Sequence, residues 1–154
     1  MKQLKFILSR AAVFAAVLAA LWAMLFAAAC IPNEAIYDNM LQSSLSYRQA
    51  DAFAQPGSLR LISDNYADSI LLNVTWNMGI GEPHTAMLDT KYYDGGDYGE
   101  NWGLYSAVTG TAAANTDYTR YWHGMAALIR PMLLFTDVDG IKLIGMIAAL
   151  VLLA

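Results

Sequence analysis

Residues 11–31 read AAVFAAVLAALWAMLFAAACI, and this stretch decides the fold. It contains no charged residue and is long enough to cross a bilayer, which takes about 20 apolar residues. Backbone polar groups in lipid must be satisfied within the segment, so we predict a helix. Lys2, Lys5 and Arg10 precede this helix without any acidic residue. Positively charged flanks stay on the inner side, which predicts cytoplasmic residues 1–10 and a chain that leaves the membrane outward.

Two other interpretations of the apolar stretch remain open. A cleaved signal peptide has an apolar region of about 7–15 residues, which is shorter than this one. A lipoprotein signal needs small residues before a lipid-modified cysteine, and Ala27-Ala28-Ala29-Cys30 meets that need, although no leucine lies three positions before Cys30. The length of the run favours an uncleaved transmembrane helix, with Cys30 a small buried residue.

A second apolar run, IKLIGMIAALVLLA, occupies residues 141–154. As a helix it would extend about 21 Å, short of a hydrocarbon core of about 30 Å. A helix that stops within lipid leaves its last carbonyl groups unsatisfied. We therefore expect residues 140–154 to begin a second, truncated transmembrane helix, and the natural protein to continue as a multi-pass membrane protein. The alternative is a buried C-terminal helix of a small globular domain.

Residues 32–139 have the composition of a folded polar domain, because all 13 acidic residues of the chain lie there. The predicted orientation of the first span places this domain outside the cell. A net charge of −4 argues against nucleic-acid binding, which needs clustered Lys and Arg. One cysteine allows no internal disulfide, and together with two distant histidines it gives no metal-site spacing. We expect no metal and no cofactor.

Two helices are predicted in the first half of this domain. Pro32 ends the first span, and a helix capped by Asn33 then runs toward the loop at Gln55-Pro56-Gly57. A second helix is predicted from Asp64 to Met78, with Ser63 or Asp64 as its cap. The glycine-rich stretch that follows, Gly79 to Trp102, is predicted to be a loop, and its acidic residues do not have calcium-loop spacing.

A further helix is predicted between Asn115 or Thr116 and Pro131. It carries three aromatic residues that prefer the headgroup level of a membrane, Tyr118, Tyr121 and Trp122. We therefore expect an interfacial helix that leads into the next span. The predicted fold class is mainly α: a transmembrane helix, an extracytoplasmic helical and loop domain, an interfacial helix and the start of a second transmembrane helix.

Four residues suggest a site at the outer membrane surface. Asp64 and Asp68 are four apart, so they lie on one side of their helix, and either could act as a general base. Arg120 and His123 lie on the basic side of the interfacial helix, where they could bind a lipid-linked phosphate. Each residue also has a simpler interpretation: Asp64 as a helix cap, Asp68 as a solvated surface acid, and Arg120 and His123 as membrane-interface residues.

The order of these segments resembles the opening of bacterial polytopic membrane proteins, including glycosyltransferases of the GT-C superfamily. Those enzymes have an inner N-terminus, one span and a large outer loop with interfacial helices and a catalytic acid; here Arg120-Tyr121-Trp122-His123-Gly124 stands at the return to the membrane. Their acid usually follows the first span closely and in a pair, whereas this chain has only Glu34 and Asp38 there, unpaired. The resemblance implies a cell-envelope enzyme that transfers sugar from a lipid-phosphate carrier.

Other functions stay open beside a transferase. They are a non-enzymatic membrane-anchored interaction domain, a lipoprotein, and a fragment of a transporter. A transporter would carry charged residues within its spans, and residues 11–31 have none. The partner common to all of these functions is the lipid bilayer; the transferase alone adds a lipid-linked phosphate substrate.

Overall fold

The computed structural model describes residues 2–55, 63–119 and 123–154. Over these residues the chain is mainly helical, as predicted. The helices are α1 (Lys2–Ala29), α2 (Asn33–Arg48), α3 (Asn65–Asn77), α4 (Pro83–Ala86), α5 (Gly99–Val108), α6 (Ala126–Met132) and α7 (Val138–Leu153), with a 3-10 turn over Gly96–Tyr98. Two short antiparallel ladders pair β1 (Phe53–Ala54) with β2 (Ser63–Asp64), and β3 (Lys91–Tyr92) with β4 (Thr116–Asp117).

Helix α1 contains the long apolar run, and it is the one helix in the described ranges that is long and apolar enough to cross a membrane. Its side chains are exposed up to Met24, and then Leu25, Ala28 and Ala29 are buried. The last turn of α1 therefore belongs to the core of the domain. Cys30, expected to be buried, is exposed because it follows the end of the helix.

The main core lies between α2, α3, α5, α6 and the start of α7. Its buried residues include Ile36 and Met40 of α2, Leu104 of α5, and Leu133. The indole Nε1 of Trp76 donates a hydrogen bond to the Ala107 carbonyl oxygen at 3.1 Å, which joins α3 to α5. A smaller cluster packs the end of α1 against Met78, Met87 and Ala126.

The two predicted helices of the first half of the domain are confirmed as α2 and α3. Asp64 caps α3, because its Oδ1 accepts the backbone N–H of Ala67 at 3.0 Å. Helix α2 begins at Asn33, but the capping position is Pro32 and the Asn33 side chain makes no cap hydrogen bond. Local sequence signals thus located the start of α2 and both ends of α3 to within one residue, while α2 ends at Arg48, well before the loop at Gln55.

The predicted loop from Gly79 to Trp102 is wrong for much of its length, because it contains α4, β3 and the start of α5. The glycines here serve close packing as well as turning. A Cβ at Gly103 would lie 2.7 Å from the Tyr93 carbonyl oxygen, so only glycine lets α5 approach that strand. Gly99 opens α5 with φ +76°, a conformation that glycine adopts without a steric cost.

The helix predicted from Asn115 or Thr116 to Pro131 is wrong in its first half. Thr116–Asp117 pairs with β3 instead, and the helix begins at Ala126. Tyr118 packs edge-on against Tyr92 with ring centroids 6.0 Å apart, a cross-strand arrangement that favours the ladder over a helix. Tyr121 and Trp122 lie outside the described residues. Pro131 lies inside α6 and does not end it.

Candidate functional site

The two predicted catalytic aspartates both make structural interactions. Asp64 caps α3, as described above. The Asp68 carboxylate lies 2.7 Å from Lys142 Nζ and accepts a hydrogen bond from the Tyr47 hydroxyl at 3.1 Å. These contacts connect α3 to α7 and to α2. Both contacts are made by Asp68 Oδ2, so this oxygen serves the packing of the three helices.

Tyr47 is the buried member of this cluster. Lys142 Nζ also lies 5.0 Å from the centre of its ring, so the ammonium group contacts both the aromatic face and the carboxylate. Burial raises the pKa of the Tyr47 hydroxyl to about 12. The hydroxyl therefore stays protonated at neutral pH and remains a hydrogen-bond donor to Asp68.

His123, predicted to bind substrate, is buried against the turn that follows α4. Its Nε2 lies 2.7 Å from the Met87 carbonyl oxygen, and its Nδ1 lies 3.2 Å from Thr90 Oγ1. Both ring nitrogens are therefore occupied in holding this turn. The cavity beside His123 is lined by α1 residues and by Met87 and Leu88, and it contains neither Asp64 nor Asp68. Arg120, the other predicted phosphate ligand, lies outside the described residues.

Arg130, in α6, is a charged residue whose side chain is fully buried. Its Nη1 donates to the Thr75 carbonyl oxygen, and its Nη2 donates to the Ile31 carbonyl oxygen and, at 2.8 Å, to Asn33 Oδ1. Thr75 lies in the last turn of α3 and Ile31 just after α1. A cation at these two helix ends faces the negative ends of their dipoles.

We call Arg130 and its three partners, Thr75, Ile31 and Asn33, the Arg130 joint. Burial lowers the pKa of the guanidinium to about 10, so the side chain is still charged at neutral pH. Among the described residues its Nε has no hydrogen-bond partner. Gly79 lies against the joint, and a Cβ there would be 1.9 Å from Arg130 Nη2. The joint ties the end of α1 to the end of α3.

A cavity of about 220 Å³ opens between the start of α3 and the β3–β4 ladder. Three tyrosines line it, Tyr66, Tyr92 and Tyr118, together with Asp117. The negative charge of Glu100, which also accepts a hydrogen bond from Tyr66, raises the pKa of the Tyr66 hydroxyl. Burial raises the pKa of Tyr92. The cavity thus presents aromatic surface beside negative charge, and no periodic pattern in the sequence predicts it.

A scan of protein-family models and searches of curated proteins and of solved structures found no match to this chain.

Proposed function

We propose that this chain is an integral membrane protein of the cell envelope, and that residues 32–139 form an extracytoplasmic interaction domain. The observation that carries the proposal is that α1 is exposed to solvent along most of its length but buried at its C-terminal end. Its side chains are apolar and exposed over most of its length, yet its last turn is buried in the domain core. An exposed apolar surface of this size in water would drive association, whereas a bilayer accommodates it.

Helix α7 supports the same proposal. Asp137 caps it by accepting the Gly140 N–H at 3.1 Å, and Val138 is buried in the domain core. Beyond Lys142 its large apolar side chains, from Leu143 to Leu153, are exposed. Each end of the domain is thus continuous with an exposed apolar helix, as expected for a segment that joins two membrane-embedded elements.

Interaction is favoured over catalysis because the predicted reactive groups are already engaged. Asp64 holds a helix end, Asp68 holds Lys142, and His123 holds a backbone turn. The cavity beside His123 contains neither aspartate, whereas a base and a phosphate ligand must contact the same substrate. The tyrosine-lined cavity, by contrast, is an open concave surface whose aromatic side chains are typical of binding sites.

Topology is tested by replacing Tyr98 with cysteine in a Cys30→Ser background, since Tyr98 is 79% exposed. A membrane-impermeant maleimide should label Tyr98→Cys in intact cells. The matched control is Lys5→Cys, at the cytoplasmic end of α1, which should react only after the cells are permeabilised. Labelling of Tyr98→Cys only after permeabilisation would contradict the outer location of the domain.

A second candidate function is sugar transfer from a lipid-phosphate carrier, favoured by the tyrosine-lined cavity, because aromatic faces stack well on sugar rings. Asp68 does not itself line this cavity but follows Ala67, which does. If Asp68 is the general base, Asp68→Asn should reduce transferase activity by about 100-fold or more. Asp97→Asn, in the exposed 3-10 turn, is the control and should leave activity unchanged. Equal activity of the two variants would remove Asp68 from the mechanism, whereas the absence of transferase activity in the unsubstituted protein would favour the interaction domain.

A further inference from the structure

The exposed, charge-free part of α1 is shorter than a bilayer. It covers residues 11–24, which extend about 21 Å, against a hydrocarbon core of about 30 Å. The side chain of Arg10 points back toward the N-terminus, since its guanidinium carbon lies 5.0 Å from the ring centre of Phe6, one turn earlier. The backbone at Arg10 can therefore lie within the hydrocarbon while the charge stays outside it. A side chain that reaches back by one turn adds about 5 Å. A deficit of about 4 Å remains, and apolar surface beyond Met24 could supply it by entering the hydrocarbon.

The domain has exposed apolar side chains beside the outer end of α1, near Met24. Leu88 follows α4 and is 69% exposed, while Met125 and Leu128, at the start of α6, are 53% and 48% exposed. We call these three residues the apolar collar. A groove of about 200 Å³ separates Met125 and Leu128 from Leu21 and Leu25 of α1. A second groove, of about 330 Å³, lies between Leu88 and Leu18 on α1. The collar therefore flanks the outer half of α1.

A polar boundary lies directly beyond the collar. Asp89 follows Leu88, and its carboxylate is 3.5 Å from Lys91 Nζ, which is also 3.5 Å from Asp117. These three side chains are about half-exposed or more. His123 fixes the turn that carries Leu88 by its contact with the Met87 carbonyl oxygen. Apolar and charged surfaces thus meet within one residue, as they do where a protein crosses from lipid to headgroups.

We propose that the apolar collar is immersed in the outer leaflet, and that lipid acyl chains fill the two grooves beside α1. The proposal rests on the proposed function, because it takes α1 as a transmembrane helix. The lengths favour lipid as the occupant, because immersion of the collar by a few ångströms supplies the apolar thickness that the exposed part of α1 lacks. The domain therefore sits partly in the membrane and not above it.

Spin-label accessibility in the full chain tests this proposal. With Cys30→Ser as background, single cysteines at Leu88 and Leu128 are labelled and the protein is placed in phosphatidylcholine nanodiscs. Oxygen, which concentrates in hydrocarbon, and a water-soluble nickel chelate are the two collision partners. Labels at 88 and 128 should favour oxygen, as a label at Leu18 should, whereas a label at Tyr98 should favour the chelate.

The label at Leu18 distinguishes failure of the immersed-collar proposal from failure of the proposed membrane span. A label at Leu18 that favours oxygen, with labels at 88 or 128 that favour the chelate, would overturn the immersed collar and leave the membrane span intact. A label at Leu18 that favours the chelate would overturn the span, and with it the collar. The labelled side chains are exposed, so the substitutions remove no core contact.

Discussion

Arg130→Met is expected to lower the free energy of unfolding by about 3 kcal/mol, because buried acceptors that lose their donor cost roughly 1–3 kcal/mol each. Three oxygens lose a donor, those of Thr75, Ile31 and Asn33. Removal of a desolvated charge offsets part of this cost. Thermal unfolding in detergent micelles, followed by near-ultraviolet circular dichroism, should show a Tm lower by about 10 °C.

The control for this variant is Arg48→Met. Arg48 is exposed, and its guanidinium carbon lies 4.9 Å from the ring centre of Trp102 and 4.4 Å from that of Tyr105. Loss of exposed cation–π contacts should cost about 1 kcal/mol or less. If both arginine variants were equally stable, the Arg130 joint would not contribute to holding the helices together.

Gly79→Ala is expected to destabilise the protein by about 2–3 kcal/mol, the cost of overpacking a close contact. The new Cβ would lie 1.9 Å from Arg130 Nη2 and 2.1 Å from Asn33 Oδ1. Either the guanidinium or the amide must then move and break a hydrogen bond of the joint. The same unfolding measurement applies. Gly145→Ala is the matched control, because a Cβ there meets nothing within 4 Å and should not destabilise the protein.

The two variants should also be coupled. In a Gly79→Ala, Arg130→Met double variant the hydrogen bonds that alanine would break are already absent, so the combined loss should be smaller than the sum by about 1 kcal/mol or more. Strict additivity would show that Gly79 and Arg130 act independently, in conflict with their close approach.

The parts of the fold that could be predicted from sequence are those with local causes. The apolar run gives α1, Pro32 separates it from α2, and the capping carboxylate of Asp64 begins α3. Helix α5 was missed because its second half is buried on several sides. It buries Gly103, Leu104, Ser106, Ala107 and Val108, so no one-sided apolar stripe marks it.

The polar row of α3 shows a second limit. Asn65, Ser69 and Asn73 recur at helical spacing like a solvated face, but all three are buried. Asn73 exchanges two hydrogen bonds with the backbone of Tyr93, and Ser69 donates to Asn101 Oδ1 at 2.7 Å. Their partners come from segments brought together only by folding. A polar residue with a distant partner cannot be distinguished from a solvated one by spacing alone.

The Arg130 joint shows the same limit more strongly. The residues that accept hydrogen bonds from Arg130 are 55, 97 and 99 positions away in the sequence, so no sequence motif indicates them. For Asp64 the simpler interpretation, a helix cap, describes its hydrogen bond, while Asp68 makes an ion pair that spacing did not suggest. Arg120 stays a prediction, since it lies outside the described residues.

The attachment of α1 has a mechanical consequence. A flexible linker would let a domain keep its orientation while its anchor leans. Here the last turn of α1 is part of the folded core. The Arg130 guanidinium also joins Ile31, two residues after α1, to the end of α3. If α1 leans in a bilayer, the domain therefore leans with it by the same angle. Membranes that hold α1 at different angles would thus aim the tyrosine-lined cavity in different directions.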